Sequence, residues 1–354
     1  DYTNGTASIL LENQSTNLLP YSNDFSQWTL SNATVSLNQI ISPDGSLNAD
    51  KIIATATNGS HAVFVSTSSA ISSGSSYCYS FFAKAEEYTK TAIRIGGGGY
   101  STQPMAVINL LNGTVVSQQG FTSVSVTNFN NGWYKINAVF TATASVAPNI
   151  QPIADGFITT ADNYTYTGDG TSGIYGFGAQ IEAGTYPTSY IPTSGQSGGV
   201  TRAAETLNNA GNSDLINSTE GVLYVEYKPS FATGSRQLAL NDNTYDNRII
   251  LECRENGTKL RSLISSGGVT QMDIVLVIPS INEFYKIAIS YKENLCKFFV
   301  NGTQVGTTDI SATMPTGLNN LSFSGKNDSS LIMTGNTKCV AVFSEALSDT
   351  ELAC

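Results

Sequence analysis

Charge is scarce in this chain: only 12% of its 354 residues are Asp, Glu, Lys or Arg, and there is a single histidine, His61 in "NGSHAVFV". With one imidazole, His-based metal clusters and Ser–His or Cys–His dyads have almost no material. His61 reads as a solvent-facing or hydrogen-bonded strand residue. Lys and Arg number 17 against 27 Asp and Glu, a formal net charge of −10. The cations are scattered, whereas a nucleic-acid binder clusters them along one face. Nucleic acid is therefore not an expected partner. No apolar run approaches the length of a membrane span, so membrane insertion is not expected either.

The five cysteines, Cys78, Cys253, Cys296, Cys339 and Cys354, are odd in number, and no two have metal-ligand spacing. They read as free, mostly buried thiols rather than a disulfide framework, and no cofactor is implied by them. Paired carboxylates for sugar hydrolysis are also missing from any one strand. Glu86 and Glu87 are adjacent and point apart when extended, while Glu252 and Glu255 differ in strand parity. The expectation is a protein that is not an enzyme. "GGGGY" at 96–100 lacks the Lys-Ser/Thr and the following helix of a phosphate cradle and reads as a loop at a sheet edge. No secretion signal is read at the start, and a chain opening on Asp1 without methionine reads as processed or as a piece of something longer.

Period-two alternation is what the chain has instead, in segments rich in Val, Ile, Thr, Tyr and Phe bounded by Gly, Asn and Ser. Long 3.6-residue patterns are almost absent. The fold class predicted is all-β, as two antiparallel β-sandwiches (jelly rolls) in tandem. The expected division is an N-terminal lead-in over 1–16, a first sandwich over 17–193, a linker over 194–203 and a second sandwich over 204–354. The break is read from "IYGFGAQIEAGTYPTSYIPTSGQSGG" (174–199), in which Phe177, Ala179 and Ile181 alternate with Gly178, Gln180 and Glu182 before proline and Gly/Ser steps end the ladder. "LNGT" at 111, "ENGT" at 255 and "VNGT" at 300 predict tight type I′ hairpins, because Asn-Gly accepts positive φ at both central positions. Tyr285, Ile287, Ile289 and Tyr291 predict a strand with one wet face, and Ser348 with Glu351 a capping box on a short terminal helix.

Parity supplies the candidate binding residues. In "GWYKINAVF", the row Tyr134, Ile136, Ala138 and Phe140 faces a core, which sends Trp133 outward with Lys135 and Asn137. The same argument sends Phe82 and Lys84 away from Tyr79, Phe81 and Ala83. It sets Arg94 opposite Ile93 and Ile95, and Gln180 and Glu182 opposite Ala179 and Ile181. If these strands share one sheet, its outer face carries Trp133, Phe82, Arg94, Lys84, Gln180 and Glu182. Rings that stack on sugar C–H faces, beside amides and a guanidinium, suit a glycan. The same face would equally suit packing against a neighbouring subunit. In "NDNTYDNR" (241–248), Asp242 and Asp246 are candidate Ca²⁺ ligands, against a solvated turn.

The first half also resembles a known family. "NLLPYSNDFSQW", "SPDGSLNADKI", "SYCYSFFAKA", "NGWYKI", "YTGDGTSGIYGFGAQIEAGTYPTSYIPT" and "TRAAE" are similar to the carbohydrate-binding-module-like jelly-roll domain frequent in bacteriophage tail and fibre proteins. "GVLYVEYKP", "NRIIL", "YKIAISYKENLCKFFVNGTQVG" and "VAVFSEALSDTEL" resemble a concanavalin A-like, laminin-G-type sandwich. Together the two resemblances cover nearly the whole chain. They imply a virion-surface appendage, made in a host cytoplasm and exposed outside the cell. Such a protein is expected to be a homo-oligomer (trimer), to contact other virion proteins and to meet host or environmental polysaccharide or cell-surface glycan. No binding residue is carried over from either family. A purely structural appendage, and an accessory carbohydrate-binding region of a polysaccharide-degrading enzyme, are the alternative expectations.

Overall fold

A computed structural model describes residues 9–68, 71–97, 100–143, 147–153, 164–193, 196, 199–205, 210–229, 234–326, 328 and 330–353. Gly98 and Gly99 of the "GGGGY" run and Cys354 lie outside them. The molecule is all-β. It divides into two compact units, Gln14–Arg202 and a second made of Asp1–Asn13 with Ala203–Cys354.

The first unit packs two six-stranded antiparallel sheets. One runs in the order Thr114–Gln119, Met105–Asn109, Lys90–Gly96, Ala147–Ile153, Ala62–Phe64, Thr29–Ser31. The other runs Ser123–Asn128, Trp133–Thr141, Ser76–Ala85, Gly173–Ala183, Leu47–Ala54, Ala33–Ile41. Their facing rows, with Ile93, Ile95 and Ile108 on one side and Tyr79, Phe81, Ile136, Phe140 and Ile181 on the other, make the core. His61 is buried between strands, with Nδ1 2.6 Å from the Asn32 carbonyl oxygen and Nε2 3.0 Å from that of Tyr166.

The second unit pairs a six-stranded with a five-stranded sheet. The larger runs Ile9–Leu11, Gly335–Phe343, Glu220–Pro229, Tyr285–Lys292, Cys296–Val300, Thr303–Asp309. The smaller runs Val269–Val277, Lys259–Ser266, Arg248–Arg254, Arg236–Asn241, Asn320–Ser322. The expected lead-in thus supplies an edge strand here, Ile9 opposite Thr337 and Leu11 opposite Gly335. The expected linker holds Val200–Arg202, paired antiparallel with Ser15–Asn17 inside the first unit. The first unit is in effect inserted after the first strand of the second.

Among the NGT tetrads, only Asn301-Gly302 forms the two-residue turn with both residues at positive φ, 50° and 74°. At 110–113 the connection has four residues, and of Asn112 and Gly113 only the glycine is at positive φ. At 255–258, Glu255, Asn256 and Gly257 are all positive. Tyr285–Lys292 also differs from expectation: Ala288 is buried beneath Leu352, so the outer face stays wet only towards Lys286 and Lys292. Leu352 sits on the terminal helix Asp349–Leu352, which carries the Ser348–Glu351 capping box. The described cysteines Cys78, Cys253, Cys296 and Cys339 are free thiols. Burial pushes Cys78 and Cys253 up to about 12 and Cys296 up to about 11. These three are held as neutral thiols at ordinary pH.

Candidate functional site

Parity holds along Ser76–Ala85 and Trp133–Thr141 in the second sheet of the first unit. Trp133 pairs with Lys84 and Lys135 with Phe82. Across the next strand, Lys84 pairs with Tyr175 and Phe82 with Phe177. Phe82, Trp133 and Phe177 form a cluster with Ala49, separate from the core. Phe177 is on this outer face, not with Ala179 as strict alternation required. The register shifts between Phe177 and Gln180, where Gly178 at φ 62° forms a bulge. One extra residue there returns Ala179 and Ile181 to the core and Gln180 and Glu182 to the outer face. Arg94 does not join them. It lies in the other sheet, opposite Met105 and Asn149. Parity fixes which side of a strand a residue takes, not which sheet the strand enters.

The outer face is not an open platform. Trp133 is only 3% exposed, and Phe82, Gln180 and Glu182 are likewise buried. The chain after Gly173–Ala183 doubles back across them as a strap. Gln180 Oε1 accepts the Ile191 backbone N–H (2.7 Å). Glu182 accepts the Thr188 N–H (2.9 Å) and the hydroxyls of Thr188 and Ser15, and takes the Gln180 amide N–H. Asn17 donates to Ala179 O and Ile191 O at 3.2 and 2.9 Å. Tyr190 sets its ring 5.2 Å from Phe177, and Lys135 Nζ donates to Thr188 O at 3.0 Å. Gln180 and Glu182 are therefore fasteners for the strap rather than sugar-binding groups. Covering an aromatic side chain is worth about 1.5–3 kcal/mol, which is what the strap supplies to Phe82 and Phe177.

On the same side of the sheet lies a cleft of about 640 Å³ lined in part by Trp133 and Ile40 of this cluster. Trp133 forms its floor and donates Nε1–H to Ile41 O at 3.2 Å. One wall is the turn 128–133, in which Asn130 and Asn131 take positive φ (69° and 49°) and Asn128 Oδ1 accepts the Asn130 N–H. This turn presents Phe129, 44% exposed, with its ring edge-on to Phe82 at 5.0 Å. Lys84 lines the cleft, its methylenes lying over Gly132. The opposite wall is the loop joining Ala33–Ile41 to Leu47–Ala54, with Ser42 in the lining and Ile41 and Leu47 each 62% exposed at the rim. Asp50, on the strand that follows this loop, accepts the N–H groups of Asn38 (3.1 Å), in the strand before it, and of Phe25 (3.0 Å). Burial pushes its carboxyl up to about 6, against those two hydrogen bonds.

The candidate Ca²⁺ ligands serve their own turn. Asp242 Oδ1 accepts from Thr244 N and Oγ1 at 2.9 and 2.6 Å, and Oδ2 from Asn247 Nδ2 at 2.9 Å. Asp246 accepts through its backbone oxygen from Gly268 N at 3.0 Å. Among the described residues, no three His, Cys, Asp or Glu side chains group so as to hold a metal ion. Between these aspartates Tyr245 lies under two cations, Arg248 at 4.7 Å and Lys326 at 4.5 Å from its ring centre.

Residues 204–353 match the family model described as the Concanavalin A-like lectin/glucanases superfamily. No curated protein matches the chain. Among solved structures, the chain is similar to the Ruminococcus gnavus IT-sialidase CBM40 at 17% identity and TM-score 0.35, over 42% of this chain and 95% of that one. A native heptameric SAP-like pentraxin from Limulus polyphemus matches at 15% and 0.33, over 42% and 73%. The Caenorhabditis elegans galectin LEC-6 matches at 17% and 0.27, over 39% and 88%.

Proposed function

We propose that this is a non-enzymatic protein of a virion surface, of the phage fibre or appendage kind, that binds host or environmental glycans through its β-sandwiches. The observation that carries the reading is the cleft over Trp133. A half-open ring (Phe129) shares the cleft's lining with a lysine, a serine and two asparagines. Ligand sites are concave, mostly apolar and aromatic, with a few placed polar groups. Ile41 and Leu47 at the rim suit the C–H faces and methyl or acetyl groups of a sugar. The lectin/glucanase match over the second unit accords with this. The virion setting and the trimer are supported by the resemblance of "YTGDGTSGIYGFGAQIEAGTYPTSYIPT" and "TRAAE" to phage fibre domains.

A glycan array probed with the whole chain and with Phe129→Ala tests the proposal. Binding that Phe129→Ala leaves unchanged removes the cleft from it. A second reading, a purely structural appendage, is favoured by the same exposed Ile41 and Leu47, which a neighbouring copy could cover. Sedimentation analysis of Ile41→Ser/Leu47→Ser separates the two. Loss of an oligomer supports the structural role, and loss of sugar binding in an unchanged assembly supports the glycan role.

A further inference from the structure

We infer that the saccharide taken by this cleft carries a negatively charged substituent, a carboxylate, met by Lys84. The inference rests on reading the cleft as a glycan site. The lining contains one charged side chain, Lys84, and no carboxylate. Lysines elsewhere on the same sheet face are engaged: Lys51 Nζ lies 2.6 Å from Glu87, and Lys135 Nζ donates to Thr188 O. Among the described residues, the Lys84 ammonium makes neither a side-chain hydrogen bond nor an ion pair.

Carboxylates on the segments that carry the lining are already committed. Asp44 turns into its own loop, accepting from Ser42 Oγ (2.8 Å), Ser46 N (2.7 Å) and Asn48 Nδ2 (3.0 Å). Glu87 accepts from Gly173 N at 3.1 Å as well as from Lys51, and Glu86 interacts with the Tyr175 hydroxyl. In a chain with 17 basic and 27 acidic residues, a cation without a partner in the lining of a cleft is an unusual placement. Its stem packs against Gly132 and its strand neighbours are Trp133 and Tyr175, which sets the ammonium in the same cleft lining as the Phe129 ring. A sugar stacked on that ring sets a carboxyl substituent within reach of it. Because one wall is apolar, the pairing is less screened than on an open surface.

The test is calorimetric titration of the whole chain with three oligosaccharides of equal length: an oligogalacturonate, its neutral methyl ester, and a sulfated galactan. The acid should bind about five- to tenfold more tightly than the ester, as expected for one partly desolvated charge pair. The preference should shrink with added salt, vanish in Lys84→Gln and survive in Lys84→Arg. Equal binding of acid and ester, or a preference that persists in Lys84→Gln, overturns the inference while leaving the glycan reading intact. Tighter binding of the sulfated sugar than of the uronate overturns the choice of carboxylate. Failure of every charged and neutral sugar, here and on the array, overturns both. Thermal melts of Lys84→Gln within a few degrees of the parent show that the variant is folded.

Discussion

Glu182 accepts the backbone N–H of Thr188 at 2.9 Å, six residues further along the chain. Through that bond a strand carboxylate fastens the segment that leaves the strand, and the segment roofs Phe82 and Phe177. The "AQIEAGTYPTSYIPT" run is therefore a closure device: amide and carboxylate on the strand, acceptors and donors on the strap, Tyr190 as the lid over Gly178.

Removing the fastener should loosen the strap. Glu182→Ala removes the acceptor of the buried Thr188 N–H and of the half-buried Ser15 hydroxyl and leaves the Thr188 hydroxyl and Gln180 amide only their longer bonds to Ser189 O, at about 1–3 kcal/mol for each orphaned group with partial relief by water. The expected loss is about 3 kcal/mol in urea unfolding, with Trp133 fluorescence shifted to the red. Thr188→Val should lose less, because the N–H bond remains. A Glu182→Ala change below about 0.5 kcal/mol would contradict the closure, since that is the range of an ordinary surface substitution.

Asp50 gives a pH signature. Burial raises its carboxyl from 3.8 to about 6, so the folded state holds the proton more tightly than the unfolded chain. Its contribution to stability is fully present below about pH 3.8 and is lost as pH rises through 6. Hydrogen-bonded carboxylates with lowered values, such as Asp169 and Glu87, act in the opposite sense. The quantity to measure is thus the difference between parent and Asp50→Asn in urea unfolding from pH 4 to 7. The parent should lose stability relative to the variant across that window; a flat difference contradicts the assignment.

The second unit needs its distant first strand. A fragment beginning at Ala203 lacks Ile9–Leu11, which pairs with Gly335–Phe343 and buries Leu11 in the core. Losing Leu11 costs about 1.5–3 kcal/mol and bares a sheet edge open to pairing with other chains. The fragment should melt lower and aggregate on heating, and residues 9–13 fused to its N-terminus should restore it. Equal melting temperatures with and without the strand would contradict this.

Much of the fold was legible because alternation is local. Tyr134, Ile136, Ala138 and Phe140 against Trp133 and Lys135 came out on the faces assigned to them, as did the capping box at Ser348. The Gly178 bulge was not legible: one inserted residue shifts the register without altering composition, so Phe177 was set on the wrong face. Arg94 was assigned its correct side but the wrong sheet, because strand order depends on pairings far apart in sequence. The ladder ends at Ala183 as the prolines signal, but the strap itself was not legible, since prolines that end a ladder say nothing about where the chain lies next. Ile9–Leu11 finds its partner more than 300 residues away, with no local signal.

The most direct measurement uses the two tryptophans, Trp28 and Trp133. Their indole N–H groups donate to Pro20 and Tyr21 carbonyls and to the Ile41 carbonyl respectively, so an ¹H–¹⁵N spectrum carries one reporter in the core and one in the cleft floor. Titration with a glycan that binds the chain should move the Trp133 indole signal together with the amides of Phe129, Asn130 and Asn131, and leave Trp28 in place. A bound glycan that moves neither Trp133 nor the 129–131 amides would contradict the assignment of the cleft.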